Sequence, residues 1–129
     1  MNSILASAVA VAYQAARASR GEGVVYSRGE RSVALTAIRG RSEFQAESAG
    51  EVRLEYTDAD WLCPETEMIF PAVEAEGEEP GLEELPIVPQ KGDRIAADGE
   101  VFEVLAPAGA KVYGLCAGIM RVHSKQVSQ

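Results

Sequence analysis

At 129 residues the chain is sized for one modest hydrophobic core, and its formal net charge of −8 argues against a nucleic-acid-binding surface, which needs clustered Lys and Arg. Two cysteines, Cys63 and Cys116, are too few for a disulfide scaffold, and a single histidine, His123, without Cys-x-x-Cys or His-x-x-x-His spacing excludes an ordinary zinc site. Both cysteines lie among apolar residues and are expected to be buried free thiols in a reducing compartment.

Ser3 is placed to cap a helix beginning at Ile4, and the alanine-rich run to about Arg20 has strong helix preference. Leu5, Val9, Ala12 and Ala16 fall on one face, with Ile4, Ala8, Val11 and Ala15 beside them. Such a broad, small-residue surface suits a helix lying flat on the protein body, or one packed against neighbouring subunits. No positive charge precedes this run, Gln14 and Arg17 interrupt it, and it is short of a membrane span. A soluble intracellular protein is the expectation. Gly21 and Gly23 end the helix.

From Val24 the period changes to two. Val24 to Ser27 reads as a strand, 28–31 as a turn and Ser32 to Ile38 as the returning strand, broken at Gly40. A short strand follows around Phe44, then a Ser48-Ala49-Gly50 turn, then Val52, Leu54 and Tyr56 alternating with charged residues. Thr57 to Asp60 interrupts before Trp61-Leu62-Cys63.

Residues 64–90 are different in kind. They hold eight glutamates, no Lys or Arg, and five of the six prolines, so the whole net charge resides there while the rest is balanced. Such a segment is expected to be a mobile acidic loop. Its apolar clusters are Met68-Ile69-Phe70 and, later, Leu82 with Leu85. Regular structure resumes at a Gly92-Asp93 turn, with a strand from Arg94, an Asp98-Gly99 hairpin turn, a return strand over 100–105, and a last strand from Gly118 to Lys125.

The expected fold is mainly β: an antiparallel β-barrel or sandwich of about six or seven short strands, with one N-terminal α-helix and a long acidic loop. A single domain spans 1–129, divided into the helix (1–21), the first strands (23–63), the acidic loop (64–90) and the C-terminal hairpin with the last strand (91–129).

No phosphate-binding glycine loop or nucleophile elbow is present in the sequence. His123, between Arg121 and Lys125, reads as a solvent-facing or edge histidine. Asp58 and Asp60 are two apart, as in a carboxylate pair, but nothing beside them suggests a substrate cleft, and they read as turn residues like Asp93 and Asp98. The acidic loop lacks the alternating pattern of a calcium loop. The expectation is a non-enzyme with no catalytic residues, cofactor or metal.

The segment 89–95, followed by Asp98-Gly99-Glu100-Val101-Phe102-Glu103-Val104, resembles the Lys/Arg-Gly-Asp, strand, tight turn, aromatic-x-Val hairpin of small tailed-phage head–tail joining proteins, the lambda-type head-completion proteins being the nearest group. The short helix leading into a Gly-bounded hairpin agrees. Residues 57–63, with Asp60 and Trp61, and the end Met120-Arg121-Val122-His123-Ser124-Lys125 also look like strands of that family. The acidic insert is longer than in that pattern, and Gly114 to Gly118 lacks its aromatic- and Arg-rich connection.

The resemblance implies a virion structural protein, monomeric when free. It implies assembly as a ring at the portal or connector, or at the tail end, next to tail-tube or tail-terminator proteins. The implied location is the virion, and host cytoplasm during assembly, with no membrane and no sequence-specific nucleic-acid contact. Assembly-interface candidates are Asp60, Trp61, Met68, Ile69, Phe70, Leu82 and Leu85; Gly92, Asp93, Asp98 and Gly99 are hairpin turn residues. The rival reading is a host-interaction module whose acidic loop binds a basic partner.

Overall fold

The computed structural model of the chain describes residues 3–41, 43–48, 50–107 and 111–127. The side chains of Ser3, Ile4, Leu5, Val9, Phe44, Val52, Leu54 and Tyr56, and Ala49 of the expected 48–50 turn, lie outside the described residues. One helix, α1 (Ser3–Arg20), is followed by β1 (Gly21–Arg28), β2 (Arg31–Gly40), β3 (Glu43–Ser48), β4 (Glu51–Tyr56), β5 (Ala59–Pro64), β6 (Ile69–Phe70) and β7 (Leu85–Pro86). The chain then forms β8 (Arg94–Ala97), β9 (Glu100–Val104), β10 (Tyr113–Cys116) and β11 (Ile119–Val127).

Six strands close an antiparallel barrel in the order β11-β5-β2-β1-β8-β9, with β9 returning to β11. Closure is possible because β11 is long: residues 119–124 pair with β5, and 124–127 pair with β9. The same first half of β11 carries β10 on its other edge as a seventh strand. A closed sheet leaves few free edges, which is how a small all-β body avoids edge-to-edge pairing. β3 and β4 form a separate hairpin between β2 and β5, paired with each other from Glu43–Tyr56 to Ser48–Glu51.

The period-two pattern is what fills the barrel. Val24 and Tyr26 of β1, Leu35 and Ala37 of β2, and Ala59, Trp61 and Cys63 of β5 face one interior. Ile95 and Ala97, Phe102 and Val104, and Met120 and Val122 complete it from β8, β9 and β11. Trp61 and Phe102 meet edge to face at 5.3 Å, and Trp61 Nε1 donates to Ser124 Oγ, so the one indole in the core has its polar atom satisfied. Toward the far end of β2 the Arg39 guanidinium lies 4.8 Å from the Trp61 ring and 5.2 Å from Phe102, held by Glu22. Near the β1–β2 turn, Arg28 and Arg31 stack over Phe70 in the same way, at 5.7 and 5.5 Å.

α1 lies against the outer barrel face. Its Tyr13 hydroxyl donates to Leu62 O at 2.9 Å, and Arg17 makes a bidentate pair with Glu67. Gly21 is required at the helix–strand junction, since a Cβ there would meet Arg17 O at 2.5 Å and the Thr36 side chain at 2.9 Å.

The acidic stretch is folded where a loop without regular structure is the expectation. After a 3-10 turn (Glu65–Glu67), β6 and β7 pair antiparallel, and isolated bridges at Val73–Leu82 and Glu76–Glu79 continue the pairing toward a turn at Gly77 (φ 60°). The segment is a narrow, hydrogen-bonded arm. Gly81 shows how closely its two sides approach: a Cβ there would lie 2.6 Å from Val73 O and 2.8 Å from Ala75 N.

Candidate functional site

The arm is gripped at its base by the β1–β2 turn. Arg28 Nε and Nη2 donate to the two carboxylate oxygens of Asp93 at 2.8 and 2.7 Å, and Nη2 also reaches Val88 O at 2.8 Å. Asp93 further accepts from the Tyr26 hydroxyl and from Gln90 N. Its backbone pairs with β9, Val104 N donating to Asp93 O. Burial alone drives a carboxyl toward protonation, but the hydrogen bonds from Arg28, Tyr26 and Gln90 outweigh it and hold Asp93 below its ordinary pKa. Burial, and then the Asp93 carboxylate, push the Tyr26 hydroxyl well above its ordinary value. On the other side of the base, Arg31 Nη2 donates to Pro71 O at 3.0 Å and Glu83 O at 2.7 Å, one on each side of the arm. Phe70 is fully buried between these arginines and Tyr26.

Beyond the base the arm is bare. Residues 71–86 are exposed throughout. Among the described residues none of Glu74, Glu76, Glu78, Glu79, Glu83 or Glu84 makes an ion pair. Beside them Val73, Leu82, Leu85 and Val88 expose apolar surface, Leu82 at 46 % and Leu85 at 41 %.

A second feature is a groove of about 570 Å³ between α1 and β10, floored by Ala12, Ala16, Leu62, Leu115 and Ile119. Its two charged lining residues, Arg20 and Arg121, are both basic. Leu115 is half exposed there, and Cys116 is an exposed free thiol, against the expectation of burial. The strand it belongs to lies in the connection before the last strand. Cys63 is buried as expected; burial pushes its thiol up to about 12.

The interface candidates divide by burial. Asp60, Trp61, Met68 and Phe70 are spent inside the chain's own fold, and Ile69 is half-buried; Leu82 and Leu85 face solvent. Asp60 is no turn residue: it sits on β5 with no exposed surface, accepting from Arg121 at 3.1 Å and bonded to His123 Nδ1 at 3.0 Å. His123 is accordingly buried, not solvent-facing. Asp58 accepts from Gln126 N and ties the start of β5 to β11. Gly92 is a turn residue, and Asp98-Gly99 is a tight hairpin turn with both φ angles positive (49° and 78°). Asp93 is the ion-pair hub of the arm base, a role that its separation of 65 positions from Arg28 conceals from local reading.

Among the described residues no group of three His, Cys, Asp or Glu side chains is placed to hold a metal ion, and no helix is long and apolar enough to cross a membrane. No curated protein matches the chain. A protein-family model described as phage head-tail joining protein matches residues 2–129. The chain belongs to that family, with a structural role in the phage particle and other virion proteins as its contacts.

Proposed function

We propose that this member of the head–tail joining family works without catalysis, assembling as a ring at the head–tail junction, against the portal or connector on one side and tail proteins on the other. The observation that carries the reading is the arm: a segment clamped to the barrel by Arg28 and Arg31 whose distal part holds six glutamates and exposed Leu82 and Leu85. A clamped base gives the arm a defined direction, and apolar side chains give it something to bury. The tip, joined only by isolated bridges, moves in the free chain and orders against a neighbour. Glutamates that stay in solvent on the inner side of a ring keep exiting DNA from adhering. The protein is free in the host cytoplasm before assembly and resides in the virion afterwards.

The test is genetic. Phage lacking this chain should accumulate DNA-filled heads and free tails that join when the purified protein is added back. Intact particles made without it would overturn the reading. A pull-down that enriches a basic host protein, lost on Glu-to-Gln changes between Glu74 and Glu84, would favour host interaction instead.

A further inference from the structure

We infer that the groove between α1 and β10 receives the acidic arm of a second copy of this chain, with Leu82 and Leu85 on its apolar floor and Glu83 and Glu84 facing Arg20 and Arg121. The inference rests on the ring reading and gives it a specific contact. Each copy has one arm and one groove, and no arm residue lines the copy's own groove. The two are complementary in apolar character and in charge. The arm offers exposed leucines flanked by unpaired carboxylates, while the groove has an apolar floor and only basic charges. Arg20 makes no ion pair among the described residues, and the Arg121 side chain, paired with Asp60, is 42 % exposed.

Among the described residues, the remaining large apolar side chain exposed on the barrel strands outside this groove is Val25, whose register partners on β2 and β8 are Ala34 and Ala96. A strand face with alanines beside it offers little for leucines to bury against, and Arg94, on the neighbouring strand β8, is already paired with Glu103. The α1–β10 groove is also within the size range that buries a few side chains. Because arm and groove are different surfaces, the contact is heterologous. Repeated from copy to copy it generates a ring when the rotation closes. Its attraction is partly electrostatic, so assembly weakens as salt rises.

The native Cys116 thiol makes the contact directly testable. Leu82→Cys and Leu85→Cys variants of the full-length chain, assembled at high concentration or on heads, are treated with a short thiol–thiol cross-linker. Val25→Cys serves as the control, and buried Cys63 stays silent. The expected result is a ladder of covalent dimers and higher species for the arm variants, at least fivefold above the Val25→Cys background and lost when Cys116→Ser is added. Arg20→Glu should lower assembly, and Glu83→Arg in the same chain should restore it. Ring-sized species that form with no arm-dependent ladder would overturn the groove contact and leave the ring standing. Absence of any oligomer, in solution or on heads, would overturn both.

Discussion

Asp93 lies 65 positions from Arg28 in sequence, yet its carboxylate accepts from that guanidinium, from Tyr26 and from Gln90 N, joining β1, the returning end of the arm and the β8–β9 hairpin. The group is almost completely buried, so removing its charge leaves Arg28 facing a neutral amide with part of its solvation already lost. Asp93→Asn should destabilise the fold by about 2–4 kcal/mol at pH 7, below the full buried-pair value because Arg28 is partly exposed. The pH dependence has a definite sign. A folded pKa held below the ordinary 3.8 stabilises the native state above that value, and the contribution is lost as pH falls through the folded pKa. Denaturant titrations at pH 7 and pH 3 should therefore show the gap between wild type and Asp93→Asn narrowing in acid; an equal gap at both pH values would contradict the ion-pair role. Asp60, His123 and Arg121 make the same point about local reading. Each looks like a surface residue by type, and only the β5–β11 register, which sets Asp60 opposite His123, brings them together.

Among the elements, the arm is the one whose character depends most on pairing. Charge and proline content mark residues 64–90 as an insertion between strands, while Met68 and Phe70, which the sequence offers as assembly-interface candidates, are buried in the chain's own barrel. The hairpin pairing is not legible, because the arm's inter-side bonds are few and its turn at Gly77 lies within a run of glutamates that reads as solvated chain. Gly81→Ala should separate arm from barrel: the added Cβ would collide with backbone at Val73 and Ala75. Hydrogen exchange should show the amides of Val73 and Leu82, which bond across the arm at 2.8 Å, losing protection by roughly tenfold or more, equivalent to about 1–3 kcal/mol of overpacking strain. Core amides in β5 and β11 should be unchanged; a matching loss there would mean that arm and barrel unfold together. β10 is missed for a related reason. Its turn is Ala117-Gly118, with Ala117 at φ 52°, and alanine carries none of the Asn or Asp signal that such a turn normally shows. The Asp98-Gly99 turn has that signal and is readable on sight.

At the scale of the whole molecule, a charge-balanced barrel presents an acidic arm on one side of its chain path and a basic-rimmed apolar groove on another. Period-two patterning and turn chemistry make the barrel legible, and four short motifs in order make the family legible. The groove is not legible, since it is assembled from α1, β2, β5, β10 and β11 and exists only once the barrel has closed. In the proposed ring, both surfaces would be covered by a neighbouring copy. The most direct measurement is the copy number of this chain in purified, DNA-filled particles, obtained by quantitative mass spectrometry against the portal protein as internal standard. A ring at the head–tail junction requires several copies per particle, in a fixed ratio to the portal. A particle that joins head to tail with no copy of the chain, or with a single one, would contradict it.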